Sequence, residues 1–224
     1  MKKKLVALGL GIILLVMAGM AQASLVTIGT ATYGGSNYNL IWDSNNNGNS
    51  VIWLDYTNAA TNWSAQMAWA AGLDGQLTNI DTPGWTVAWD TNGWRLPSAG
   101  TNPQVAYNMT TSEMGHLYYT EFGLQSYADR GNVLVTAAEL NLSNFDNLID
   151  WQYWTDTERD FPLQDRAWVF DTARGLLTFN FKNTPVYALA LRNGQVSAVP
   201  IPGALWLLGS GLFGLVAVRR KKKS

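Results

Sequence analysis

Two apolar segments, each flanked by cations, close off the ends of this chain and leave the stretch between them to fold on its own. At the start, Lys2, Lys3 and Lys4 precede an apolar run from Leu5 to Met20, and Ala21-Gln22-Ala23 supplies a small-x-small pattern before Ser24. This is the layout of a secretory signal peptide over residues 1–23, with Ser24 as the mature N-terminus. At the other end, Pro200 and Pro202 are followed by an apolar run, Gly203–Val218, and by the cations Arg219, Arg220, Lys221, Lys222 and Lys223. A hydrocarbon core about 30 Å thick takes roughly 20 helical residues. The eighteen residues from Ile201 to Val218 suffice when the flanking cations reach into the headgroups. Those cations mark the cytoplasmic side, so everything before Val199 is expected outside the membrane.

The C-terminal layout of motif, apolar run and basic tail resembles the PEP-CTERM sorting signals that Gram-negative exosortases read and cut. Val199-Pro200-Ile201-Pro202 carries Ile201 where the type form has glutamate, and is similar to the V-P-L-P-A variant class. The resemblance implies signal peptidase and an exosortase as partners. It also implies a precursor anchored in the inner membrane by helix 203–218, then a form at the cell surface or outside the cell. A plain anchor without processing is the alternative reading.

Composition matters mainly once these segments are set aside. The formal charge of −1 conceals that eight of the fifteen cations lie in them, leaving seven against sixteen carboxylates, a net of −9 for Ser24–Val218. So acidic a body repels phosphate backbones, which argues against nucleic acid as a partner. With no cysteine there are no disulfides, no thiolate zinc sites and no cysteine nucleophile. The domain must be held by its core, for which 11 tryptophans, 9 tyrosines and 7 phenylalanines are available across the chain. A domain of this size buries roughly 70% of its unfolded surface.

Along the body, Leu25–Ile28 and Tyr38–Trp42 read as strands around the turn Tyr33–Asn37. Asp43–Ser50, before the apolar Val51–Leu54, reads as a polar hairpin tip in which asparagine and glycine supply positive φ. Asp43, Asn45 and Asn47, with Gly48 next, also open a calcium loop of the D-x-N-x-N-G kind. The closing glutamate is missing: Leu54 holds its place, and Asp55 falls one residue late. Calcium is the one cofactor this pattern raises. Trp63, Met67 and Ala70 predict a helix capped by Thr61 or Asn62 and stopped at Gly72. Thr110-x-x-Glu113 predicts a second, with Met114, Leu117, Tyr118 and Phe122 as its buried stripe and His116 on the solvated side. Trp85–Trp89, Trp151–Thr155, Ala167–Phe170, Leu177–Phe181 and Tyr187–Leu191 have strand composition, and Asp171–Gly175 reads as a turn.

Four motifs in order carry a second resemblance: Gly93-Trp94-Arg95-Leu96-Pro97-Ser98; Tyr153-Trp154-Thr155-Asp156-Thr157-Glu158; Ala167-Trp168-Val169-Phe170-Asp171 with Gly175; and Tyr187–Gly194 with Arg192. Together, over 42–194, they resemble the Lcl C-terminal-type domain, grouped with C-type-lectin-like and formylglycine-generating-enzyme-like folds. Segments Ala99–Met109 and Gly123–Leu148 stand as insertions relative to that pattern. The expected architecture is therefore α+β. It is a C-type-lectin-like domain over 24–194 with two helices packed on antiparallel sheets, a short linker 195–198, an N-terminal signal helix and one C-terminal transmembrane helix. Trp94, Arg95, Leu96, Pro97, Trp154, Trp168 and Arg192 are read as structural, with Arg95 and Arg192 each expected near Asp156, Glu158 or Asp171.

Catalysis finds little support. The single histidine excludes a histidine cluster for zinc, and no serine sits in a G-x-S-x-G setting. Nor are the E-P-N or Q-P-D and W-N-D triplets of calcium-dependent lectins present. The leading reading is a non-enzymatic, exosortase-sorted surface or matrix protein whose exposed tryptophans contact polysaccharide, or which contacts another surface protein. The alternative is a secreted polysaccharide-acting hydrolase or modifying enzyme using carboxylates in the two insertions.

Overall fold

The computed structural model describes residues 25–141, 144–160 and 162–200. The signal-peptide residues, including Ala21, Ala23 and Ser24, lie outside the described residues, as do Ile201, Pro202, the apolar run 203–218 and the basic tail Arg219–Lys223.

Three long strands begin the fold: β1 (Leu25–Tyr33), β2 (Ser36–Asn46) and β3 (Asn49–Thr61). The β2–β3 connection is as short as a hairpin allows. Asn47 and Gly48 both take positive φ, 51° and 84°, which matches the twist of the flanking strands. Helix α1 (Trp63–Gln76) follows, then β4 (Thr78–Asp81), β5 (Trp85–Trp89) and β6 (Ala106–Tyr107). A single α turn, α2 (Glu113–His116), passes directly into a π-helix (Leu117–Glu121), and α3 (Ala137–Leu140) lies further on. The chain then returns as β7 (Gln152–Glu158), β8 (Arg166–Asp171), β9 (Leu176–Phe181) and β10 (Val186–Ala198).

The strands form one mixed sheet in the order β4-β1-β2-β3-β10-β7-β8-β9-β6, with β5 on the far part of β10. All neighbours are antiparallel except β10 and β7. Strand β10 is the hub, since it pairs in turn with β3, β7 and β5.

Period-two alternation sorts the side chains into two cores. Ile41, Val51, Trp53, Tyr153, Trp168, Phe170, Leu189 and Leu191 point to one side, with Met114, Leu117, Tyr118, Val135, Leu140 and Phe145 packed over them. Leu40, Ile52, Leu54, Trp154, Ala167, Val169, Ala188 and Ala190 point to the other, under Ala70 and Leu73 of α1. Covered on both faces, β3 reads as an unbroken buried run from Val51 to Asp55. Asn62 caps α1 by accepting from Ala65 N at 2.9 Å. Gln66, buried in that helix, donates to Ala59 O and Val186 O and so fastens α1 to β3 and β10.

Several expectations are corrected. Strand makes up 45% and helix 16%, so the molecule is mostly β and not the α+β lectin-like domain expected. The reason is visible in β3 and β10, 13 residues each, which draw the chain into one sheet where two helices on smaller sheets were expected. Among the described residues no helix is long and apolar enough to cross a membrane; the expected helix 203–218 lies outside them. Helix α1 runs through Gly72 to Gln76, because Leu73 and the cap bond Leu77 N to Leu73 O hold its last turn. The expected second helix is capped two residues later than Thr110: Ser112 caps it, and Glu113 is its first residue. Residues 195–198, read as a linker, are strand and pair with Ala88, Val87, Thr86 and Trp85. Finally, the segment 123–148, read as an insertion, contributes to the core by burying Val135, Leu140, Phe145 and Leu148.

Candidate functional site

The four-motif residues meet around β10. Trp94 and Leu96 are buried, and Arg95 bridges in both directions to Leu191 of β10. Its guanidinium makes a forked pair with Glu113 at 2.6 and 2.7 Å and donates to Asn193 Oδ1 at 2.9 Å. Glu113 also accepts from Ser98 N, and Pro97 O accepts from Asp156 N. Arg192 is held by Asp74 and by Asp90 O, with its guanidinium over the Trp89 ring. Both arginines are thus paired, Arg95 with Glu113 and Arg192 with Asp74; of the carboxylates expected, only Asp156 lies close enough to Arg95 for their charges to act on each other. Glu158 binds Lys182 and Asp171 binds Arg174, while Asp156 accepts from Thr157 Oγ1. Trp154 donates its indole N–H to Thr61 O, and Trp168 lies under the Arg159 guanidinium. These contacts are structural ties.

The asparagines of the β2–β3 tip are likewise occupied in holding backbone. Asn45 Oδ1 accepts from Gly48 N, and the Asn47 amide donates to Thr111 O and Ser112 O. Asp43 turns inward and is fully buried, accepting from Asn45 N and Asn46 Nδ2. There it meets two groups that sequence spacing did not connect to it, His116 and Glu121. Ligand atoms of the three lie within 4.8 Å of one another. His116, expected on a solvated face, is only 9% exposed, and the Glu121 side chain 2%. Two local features aim them. Gly115 brings α2 against Met109, whose carbonyl oxygen would lie 2.0 Å from any Cβ at that position. The π-helix then closes Phe122 N onto Leu117 O, five residues back. That wider turn places residue i+5, Glu121, on the face of His116, where an α-helix would offer Thr120. Burial raises the Asp43 carboxyl above its ordinary range; the Asn46 bond opposes this and the Glu121 charge adds to it.

On the surface, Trp151 stands out. At 53% it is the one tryptophan classed as exposed among the described residues. With Ile149, Asp150 and Tyr187 it lines a shallow hollow of about 300 Å³, near the lower end for small-molecule pockets. Its loop is clamped from below by four side chains. Asp55 accepts from Asp146 N, Asn147 N and Asn147 Nδ2, while Thr57 Oγ1 donates to Asn147 O. The Tyr153 hydroxyl, pushed up to about 12 chiefly by burial, accepts from Ile149 N. Thr172 donates both its N–H and its hydroxyl to Trp151 O. A rigid backbone therefore carries an open indole.

A third place, a cleft of about 280 Å³, is lined by Asn102, Gln104, Glu158, Arg159, Asp160 and Trp168. No family model matches the chain, and neither a curated protein nor a solved structure matches it. Trp151 was legible only as the start of a strand, and Glu121 carried no sequence signal. Its position depends on the π-turn, which no local spacing rule announces.

Proposed function

We propose that this is an exported surface or extracellular-matrix protein that holds extracellular polysaccharide at the Trp151 hollow without turning it over. One observation carries the reading: an indole face left open to water on a loop immobilised by three buried side chains and the half-buried Thr57. Aromatic faces stack on the C–H faces of sugar rings, and the flanking Asp150 and Tyr187 offer groups that bond hydroxyls. A pre-ordered loop loses little freedom on binding. The net charge of −9 between the terminal segments turns the choice toward neutral or cation-bridged polymers and away from nucleic acids. The signal-peptide pattern ending at Ala23 and the Val199-Pro200-Ile201-Pro202 motif supply the address, with signal peptidase and an exosortase as partners. The test is a glycan array probed with the full-length chain and Trp151→Ala. Retention of a polysaccharide by the wild type, weakened roughly 30-fold in the variant, supports the proposal. Release of shortened or modified product overturns it.

A further inference from the structure

We propose that Asp43, His116 and Glu121 bind one divalent transition-metal ion of the zinc and manganese class, which pins the β2–β3 hairpin to the α2–π-helix segment. The inference stands apart from the Trp151 hollow. It begins from an unsatisfied pair: His116 Nε2 and Glu121 Oε1 are 3.4 Å apart, yet neither has a hydrogen-bond partner. A simple ion pair in so buried a place would be expected to align its donor and acceptor. Two ligand atoms on one ion, by contrast, do not bond each other, and their separation is set by the metal. For bonds of about 2.0–2.1 Å in tetrahedral geometry that separation is roughly 3.3 Å. Asp43 completes the set after a closure of at most about 1.5 Å from the 4.8 Å limit on the group.

The donor chemistry selects the ion. One imidazole and two carboxylates, with no thiolate, suit zinc, manganese or iron(II). Calcium, which takes 6–8 oxygen ligands, is served poorly. Two carboxylates and a neutral imidazole balance a doubly charged cation, which removes the penalty of burying like charges side by side. Asn46, itself fully buried, donates to Asp43 Oδ2 at 2.8 Å and to Glu113 O, and so orients the aspartate from behind. The ligands come from β2 and from the contiguous α2–π-helix segment, two parts of the chain distant in sequence. An ion there does what disulfides do in exported domains that contain cysteine, and this chain has none.

The experiment strips the full-length chain with a chelator and titrates it with zinc and with manganese ions. The proposal expects one ion per chain by elemental analysis and a melting temperature raised by about 5–10 °C at roughly a hundredfold excess over Kd. X-ray absorption at the zinc edge should show one imidazole among nitrogen and oxygen ligands. Glu121→Gln and His116→Gln should each weaken uptake at least tenfold. Should either variant fail to fold, the absorption spectrum of the wild type decides. No uptake, uptake unchanged in both folded variants, or a spectrum without imidazole each overturns the proposal.

Discussion

Arg95 and Glu113 form a forked, largely buried ion pair. The forked bond joins the G-W-R-L-P-S segment to the first residue of α2, and the Glu113 carboxylate also takes Ser98 N. Glu113→Ala would leave a half-buried guanidinium without its counter-ion and an amide without its acceptor. A cost of about 2–4 kcal/mol is expected, below the fully buried case because Arg95 keeps some contact with water. Chemical denaturation of the two proteins measures it, and a loss under about 1 kcal/mol would mean the pair is dispensable. The need for a partner was legible from an arginine set between Trp94 and Leu96; which partner was not. Glu113 is eighteen residues away, and only the packing of α2 beneath Ser98 brings it there.

Among the elements, those governed by short-range chemistry were readable and those created by tertiary contact were not. Asn62 as the α1 cap, the Asn47-Gly48 turn and the Asp171–Gly175 turn each rest on a local preference of asparagine, aspartate or glycine for that conformation. The π-helix has no such marker, and the triad it assembles was invisible for that reason. Thr136-x-x-Glu139 is a true capping box, with both reciprocal bonds formed. It stood in the segment 123–148, whose polar, mixed pattern hid the helix and the buried Phe145. The β-strand nature of 195–198 comes from pairing with β5, which the sequence of β10 alone does not show. The loop carrying Trp151 yields a prediction at this scale. Asp55→Ala removes three of its hydrogen bonds and should lower stability by about 2–3 kcal/mol. Polysaccharide affinity should fall as well, although Asp55 lies beneath the hollow. Unchanged affinity in a folded Asp55→Ala protein would show that the clamp is irrelevant to binding.

At the scale of the whole molecule, a single sheet covered on both faces accounts for a cysteine-free fold. Thirty-three of the described apolar residues are buried in two cores, one on each face of the sheet. The same arrangement buries carboxylates. Burial raises the folded values of Asp55 and Asp156, against hydrogen bonds that pull each down. Between the unfolded value, near 3.9, and the raised folded value, the native chain binds more protons than the unfolded one. These two groups therefore cost stability as pH rises through that window, and the cost persists above it. The metal-free protein should hold or raise its denaturation midpoint as pH is lowered from 7 to 5. A midpoint that drops over that range would contradict the assignment.

Trp151 is the proposed contact with extracellular polymer. Titration calorimetry of the array-selected polysaccharide into the wild type and into Trp151→Ala tests it most directly. The expected result is saturable heat with the wild type, affinity lower by roughly 30-fold in the variant, and matching melting temperatures that show the fold intact. Equal affinity in the two proteins, or chain shortening of the polymer by the wild type, would contradict it.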